Sequence, residues 1–363
     1  MRTLFTLFLS LFVTVAIAQN QMFVHTATAG NIASDASFID HPDLNNNPDA
    51  ELIVVHNWNP PGTGGVYNTN ETGLFYNEPA QSWMVYNENG SNMIVGSSYN
   101  IYIGEPGDIT LHIADLANQG SVDSYSVINH PDLNGNPNAH IALSTYYNPN
   151  GLRNDHPYGV WYDVNIDRWI IYSEDFAAIP LDTAFFVLID GSALVKSVHR
   201  ADAGNITGNY TTIDHPLLNN NPNAVFVYGH NWGVSGGSGN VIVGSATGAW
   251  YTGSNWSIFM EDLSAMPENA EFDLFIFDPT LSVEDNTIEG LTYYPNPVRD
   301  YMDISANSSI DNVIVFDVLG RQVLQQDGDQ NTMKLNLASL TSGNYLAQIT
   351  SENTVQVIKL IKE

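Results

Sequence analysis

The segment Phe38-Ile39-Asp40-His41-Pro42-Asp43-Leu44-Asn45-Asn46-Asn47-Pro48-Asp49-Ala50 returns as Val127-Ile128-Asn129-His130-Pro131-Asp132-Leu133-Asn134-Gly135-Asn136-Pro137-Asn138-Ala139 and again as Thr212-Ile213-Asp214-His215-Pro216-Leu217-Leu218-Asn219-Asn220-Asn221-Pro222-Asn223-Ala224. A fixed period of this kind marks a repeat architecture and has to be read before any local pattern. Upstream of each copy stands a further histidine, His25, His112 or His199, at intervals of 87 residues. Downstream, Gly73-Leu74-Phe75-Tyr76 corresponds to Gly159-Val160-Trp161-Tyr162 and Gly248-Ala249-Trp250-Tyr251, and Trp83-Met84-Val85-Tyr86 corresponds to Trp169-Ile170-Ile171-Tyr172 and Trp256-Ser257-Ile258-Phe259.

Between Gly, Pro and Asn clusters lie short runs rich in Val, Ile, Tyr, Phe and Trp, with no stripe at the 3.6-residue period, so the modules are predicted to be all-β with about five or six strands each. The expected fold is three tandem antiparallel β-sandwich-like repeats, because two sheets must bury a face against each other. Separate or loosely docked beads are favoured, since each copy carries Trp, Tyr and Phe for its own core. Closure of the three around a shared axis is the alternative. The boundaries read as a signal peptide over 1–18, modules over 19–108, 109–196 and 197–281, a linker over 282–290 and a C-terminal domain over 291–363.

The leader reading rests on Arg2 followed by an apolar run from Leu4 to Ile17 that ends in Ala16-Ile17-Ala18, too short to span a bilayer comfortably. No later run is long and apolar enough for a membrane helix, so the mature chain is expected to have no transmembrane segment. Cysteine is absent, which removes disulfides, thiolate nucleophiles and thiolate metal sites together. Ten Lys plus Arg face 39 Asp plus Glu, and between residues 19 and 281 the 28 acidic side chains meet only Arg153, Arg168, Lys196 and Arg200. Such a surface repels nucleic acid and anionic membranes, and leaves cations, cationic polymers, neutral glycans or simple solubility as the explanation of the charge.

After residue 282 the composition changes, with five of the ten basic residues beyond it. Tyr294-Pro295-Asn296-Pro297 opens a strand, Val313 to Val323 reads as strand, turn at Asp317-Val318-Leu319-Gly320-Arg321 and strand, Ser342-Gly343-Asn344-Tyr345 starts another, and Ile358-Lys359-Leu360-Ile361-Lys362-Glu363 ends the chain. This pattern predicts a seven-strand-like, Ig-like β-sandwich. It resembles the type A C-terminal sorting domain of type IX secretion cargo. The resemblance implies export by the type IX secretion machinery to the medium or the outer cell surface, with Tyr294, Pro295, Asn296, Pro297, Asp317, Gly320, Gly343, Tyr345, Lys359 and Lys362 forming the sorting signal. The modules themselves resemble a tandem-repeat family of secreted bacterial proteins to which no activity is attached. Asp182-Thr183-Ala184 fits a short O-glycosylation pattern of bacteria that use this route.

Turn chemistry accounts for the His-Pro segment, since Asn caps by side-chain hydrogen bonds and Pro fixes φ. The functional alternative is Ca²⁺ at Asp43, Asn45, Asn47 and Asp49, whose oxygens alternate as in a calcium loop; Leu217 replaces the first of them in the third copy, and no EF-hand glycine or terminal glutamate follows. Apart from Ca²⁺ no cofactor is expected. His41, His130 and His215 are read as structural, because a catalytic constellation repeated intact in three copies is unusual. The loops after the third strand differ between copies: His56-Asn57-Trp58-Asn59, Tyr146-Tyr147-Asn148-Pro149 and His230-Asn231-Trp232. An aromatic plate beside Gly and Asn suits a sugar ring, so Trp58, Tyr146, Tyr147, Trp232, His56 and His230 are the expected ligand-binding residues. The competing reading folds Trp58 and Trp232 back as lids on the core. Trp83, Trp169 and Trp256 sit mid-strand and are read as core. No G-x-S-x-G elbow, H-E-x-x-H, P-loop or cysteine nucleophile is present, so no catalytic residue is assigned. The sequence points to a multivalent surface or secreted binding protein whose partner is an extracellular glycan or a surface protein. A polysaccharide-acting hydrolase and a ligand-free spacer are the alternatives.

Overall fold

The structure is a computed structural model. It describes residues 21–278 and 288–363 apart from 62, 190–193, 235–239, 318–320 and 352–353. The leader, most of the linker and Gly320 therefore lie outside the described residues. Every regular element described is a strand, and no described helix is long and apolar enough to cross a membrane. The chain divides into one compact unit over Gln19–Leu281 and another that includes Ser282–Glu363.

In the first unit, module 1 supplies β1 (Met22–Thr26), β2 (Ile32–Ala33), β3 (Ala36–Phe38), β4 (Leu52–Asn57), β5 (Thr72–Asn77), β6 (Ser82–Asn87) and β7 (Ser98–Ile103). Module 2 supplies β8 (Ile109–Ile113), β9 (Tyr125–Val127), β10 (Ala142–Tyr146), β11 (Tyr158–Asp163), β12 (Arg168–Ser173) and β13 (Ala184–Leu188). Module 3 supplies β14 (Leu194–Arg200), β15 (Ile206–Thr207), β16 (Tyr210–Thr212), β17 (Phe226–Val234), β18 (Thr247–Tyr251), β19 (Trp256–Met260) and β20 (Glu271–Phe277).

The modules are not separate beads. Each of the three sheets takes one half from each of two modules: β1-β7-β4 of module 1 continues into β18-β19-β16-β15 of module 3, β2-β3-β6-β5 of module 1 into β10-β13-β8 of module 2, and β14-β20-β17 of module 3 into β11-β12-β9 of module 2. Within a module neighbours pair antiparallel, and the three seams are parallel: Gly248 opposite His56, Gly73 opposite Thr145, and Val160 opposite Asn231. The physical reason is edge pairing. β4 and β13 are buried along their whole length, the pattern of strands covered on both faces, and a module on its own leaves β4, β5 and their equivalents as bare edges. Closing the ring satisfies all of them. The seam strands β4, β10 and β17 pack against one another at the centre, and the largest buried cluster draws residues from all three modules. At Gly229 an added Cβ would stand 2.4 Å from the Ile141 carbonyl oxygen, so only glycine permits that approach.

The repeated polar residues serve this architecture. Trp83, Trp169 and Trp256 are fully buried, and each Nε1–H donates at 2.8 Å to the carbonyl of the asparagine just before the second proline of its own turn, Asn47, Asn136 or Asn221. His25, His112 and His199 bond through Nε2 to Ser37, Ser126 and Thr211 at 2.7–2.8 Å, and burial pushes each imidazole down to about 4, which keeps it neutral. The Nδ1 atoms of His41, His130 and His215 accept the N–H two residues on, at 3.3 Å. Asn45 donates to Asp40 Oδ1 and Asn47 to the Asp43 carbonyl, so both amides of the segment considered for Ca²⁺ cap the turn. Thr183 is buried, so the folded module does not present its hydroxyl for glycosylation.

In the C-terminal unit, β21 (Thr292–Tyr294), β22 (Tyr301–Asp317), β23 (Gln322–Asn336), β24 (Gly343–Ser351) and β25 (Thr354–Lys362) form one sheet around their own core. Five strands are described where seven were expected, because β22 and β23 are long and shift register near Ser305 and Ile310 instead of breaking. Asn296 grips the last strand, donating to the Lys359 carbonyl at 2.7 Å and accepting the Ile361 N–H at 2.9 Å. Asp317 clasps Arg321 across its turn at 2.7–2.8 Å. Tyr345 is buried, with its hydroxyl bonded to the Thr341 carbonyl, while Tyr294, Pro295, Pro297, Gly343 and Lys359 are exposed and Lys362 is half-buried.

Candidate functional site

Each seam is locked by a buried glutamate that follows a strand of one module and reaches into the next. Glu261 meets His56 Nδ1 and accepts the Asn68 N–H at 3.1 Å. Glu174 meets His230 Nδ1 at 2.6 Å and accepts the Val243 and Gly244 N–H groups at 2.6 and 2.9 Å. Glu88 accepts from Thr145, from the Asn154 N–H at 2.8 Å and from the Tyr86 hydroxyl at 2.7 Å. All three carboxylates are 2–3% exposed. Gly73, Gly159 and Gly248 are the residues that make room: an added Cβ would stand 2.5 Å from Glu88 Oε1 at Gly73, 2.7 Å from the Tyr172 hydroxyl at Gly159 and 2.5 Å from Glu261 Oε1 at Gly248.

Burial alone raises a carboxyl, and at Glu88 it prevails. At Glu174 burial is outweighed by the His230 imidazole and the two N–H groups, which hold the carboxyl below its ordinary range. Between the locks lies a polar cavity of about 120 Å³ lined by His56, Glu71, Tyr158, Glu174 and His230 among others. Glu71, which has no counterpart in the other modules, is pushed up to about 8 by burial and then by Glu174, Asp155, Glu88 and Glu261. The Nε2 atoms of His56 and His230 are buried without a hydrogen-bond partner among the described residues. Also among the described residues, no three His, Asp or Glu side chains are grouped to hold a metal ion.

On the outer side of each seam the same geometry builds an aromatic cleft. In cleft I, of about 150 Å³, Trp58 of module 1 faces Tyr210, Trp250 and Phe259 of module 3, with Tyr67 at the rim. In cleft III, of about 240 Å³, Trp232 of module 3 faces Tyr125, Trp161 and Tyr172 of module 2, with exposed Phe176 at the rim. In cleft II, also about 240 Å³, Tyr147 of module 2 faces Phe75 and Tyr86 of module 1. The rings meet as corners: Trp58 and Trp250 stand 5.9 Å apart at 77°, Trp161 and Trp232 5.9 Å apart at 79°, and Phe75 and Tyr147 5.3 Å apart at 85°. Gly65 lies so close over the Trp58 ring that an added Cβ would overlap it.

Residues 9–103, 73–185 and 159–276 each match a domain of unknown function, DUF7452. The chain belongs to that family. Consecutive DUF7452 matches overlap over 73–103 and 159–185, the half-modules that follow the first two seam-lock glycines. Residues 292–363 match a secretion system C-terminal sorting domain, so the chain is cargo of the type IX secretion route and is secreted or displayed at the cell surface. Ulvan lyase NLR42 of Nonlabens ulvanivorans is 35% identical over 85 residues, which are 23% of this chain and 16% of that protein, so the chain spans about a sixth of that relative's length. Two solved structures align with low scores: PorZ, a surface component of the type IX secretion system of Porphyromonas gingivalis (TM-score 0.19, 13% identity, 85% of this chain and 46% of that one), and the BSP domain of a biofilm associated protein (TM-score 0.17, 10% identity, 94% and 83%). At such scores neither carries an argument.

Among the residues expected to bind a ligand, the DUF7452 ring brings Trp58, Tyr147 and Trp232 to equivalent stations in the three clefts. Both tryptophans are half-buried walls. Tyr146 instead stacks on Phe186 at 4.4 Å in the core, and His56 and His230 turn to the seam glutamates. The opposite cleft walls, Phe75, Trp161 and Trp250, stood in the repeated Gly-x-aromatic-Tyr motif without being assigned a role. The seam glutamates were also missed, although each stands five residues after a core tryptophan, Trp83, Trp169 or Trp256.

Proposed function

We propose that the DUF7452 passenger is a multivalent glycan-binding protein of the cell exterior, with clefts I and III as its principal sites. The observation that supports this most is the recurrence at two seams of a half-buried tryptophan facing a second tryptophan from the neighbouring module, an apolar pocket with polar groups at its edge. Two weak sites on one rigid ring gain avidity through effective concentration, by about 10² or more when a polymer reaches both. A glycan array probed with the full-length chain tests the reading. Signal is expected for wild type and loss for Trp58→Ala with Trp232→Ala in a chain that keeps its native circular dichroism; array signal that ignores both substitutions contradicts it.

A second reading, action on a polysaccharide, draws on the central cavity, where a carboxyl kept protonated near neutrality faces imidazoles oriented by carboxylates, the ingredients of acid–base catalysis. Product release from a polysaccharide panel that stops in Glu71→Gln supports it, and no product from any member of the panel removes it.

A further inference from the structure

Cleft II differs from its two counterparts in already holding a cation. Arg153 lays its guanidinium over the Tyr86 ring at 5.0 Å and the Tyr147 ring at 5.9 Å, pairs with Asp35 and donates to the Asn87 carbonyl at 2.7 Å. Register identifies the same station elsewhere. Arg153 directly precedes the N–H that caps Glu88, as Tyr67 precedes the N–H that caps Glu261 and Ile242 the one that caps Glu174. In clefts I and III the cage is present without a basic side chain among its described lining residues, and tryptophan replaces tyrosine and phenylalanine, the strongest available face for a cation. Rings meeting near 80° enclose a charge from several sides, whereas a sugar ring alone needs one flat plate. The chain's net charge of −29 draws cations toward these openings.

We infer that clefts I and III are cages for the ammonium groups of an amino-sugar polymer, the chemistry that the Arg153 guanidinium imitates in cleft II. This rests on glycan binding at the same clefts and names its class. Clefts I and III would each take one protonated amine, with the adjoining sugar carbon face against the second ring.

The test is a fluorescence titration of the full-length chain with glucosamine oligomers, with neutral glucose oligomers of equal length and linkage, with tetramethylammonium and with an arginine-rich peptide. Binding of glucosamine oligomers at least about tenfold tighter than the neutral series, weakened by salt and displaced by tetramethylammonium, is expected. Equal affinity for both oligomer series, with no competition from tetramethylammonium, overturns the inference while leaving glycan binding intact. Binding of tetramethylammonium and peptide but of no sugar overturns the glycan reading and the amino-sugar inference with it. Trp58→Phe with Trp232→Phe keeps aromatic walls and is expected to weaken glucosamine binding several-fold with the fold preserved; unchanged affinity contradicts the cage. Arg153→Ala empties cleft II and is expected to raise the number of tetramethylammonium sites from two to three. A count that stays at two in a chain with native circular dichroism overturns the equivalence of the clefts.

Discussion

His230 Nδ1 and Glu174 Oε1 lie 2.6 Å apart, and they belong to different modules: the histidine to a seam strand of the third, the glutamate to the end of a strand of the second. The pair is buried, so neither side chain has water to fall back on. Its counterparts at the other seams, His56 with Glu261 and Thr145 with Glu88, show that the ring is closed by one polar lock used three times.

Removing one partner of such a lock leaves the other buried and uncompensated. Glu174→Ala strips His230 and the Val243 and Gly244 N–H groups of their acceptor and is expected to destabilise the first unit by about 3–5 kcal/mol, with Glu174→Gln milder. Urea unfolding of the variants measures it, and a change within about 0.5 kcal/mol, the range of ordinary surface substitutions, contradicts the lock.

The acids around the centre set the pH profile. Glu71 is raised from 4.5 to about 8 and Asp273 from 3.8 to about 7, both chiefly by burial, so the folded chain holds these protons more tightly than the unfolded one. Their sign is therefore a loss of stability as pH rises, from about 4.5 to 8 for Glu71 and from about 3.8 to 7 for Asp273. Glu174 has the opposite sign: its contribution is present above 4.5 and disappears as pH falls through its lowered folded value. His25, His112 and His199, lowered from 6.5 to about 4, also oppose these acids, because each adds stability as pH rises from about 4 to 6.5. Above that window the acids prevail, so thermal midpoints are expected to fall from about pH 7 to 8, and Glu71→Gln to flatten the decline. A midpoint that rises from about pH 7 to 8 in wild type goes against this assignment.

How much of this was legible beforehand differs by feature. Composition and punctuation gave strands, and the turn chemistry of Asn45 and Asn47 and the core placement of Trp83, Trp169 and Trp256 followed from residue type and spacing. Ring closure did not, because a strand's pattern reports which faces are buried and not whose edge it meets. His56 and His230 look like loop ligands until Glu261 and Glu174 arrive from more than 50 residues away. Gly73, Gly159 and Gly248 were visible as repeats, but the atoms that exclude a Cβ there include those of the seam locks.

Glycine substitutions separate close approach from open space. Gly229→Ala sets a methyl against the Ile141 backbone and is expected to cost at least about 1–3 kcal/mol, while Gly64→Ala, with nothing near its Cβ position and no left-handed backbone, is expected to be neutral. Equal effects in thermal melts contradict the central packing.

Phe176 holds a φ of 61° and is 64% exposed at the rim of cleft III, while module 1 has Gly90 at the same place in its own cycle. A bulky residue pays about 1 kcal/mol for left-handed backbone. Phe176→Gly is expected to raise stability by about that amount and to weaken ligand binding at cleft III, a trade measured by melting and titration together. Lower stability with undiminished binding removes the rim from the site.

Closure of the ring is tested most directly across the seam between the first and last modules, where Asn59 and Tyr251 are joined by two hydrogen bonds of 2.9 and 3.0 Å. The chain has no cysteine, so the double variant Asn59→Cys, Tyr251→Cys carries the only two thiols. Treated with a short bis-maleimide at low concentration, it is predicted to form an intramolecular link that speeds migration on a denaturing gel. Links formed only between molecules, or none, would show that the modules do not close.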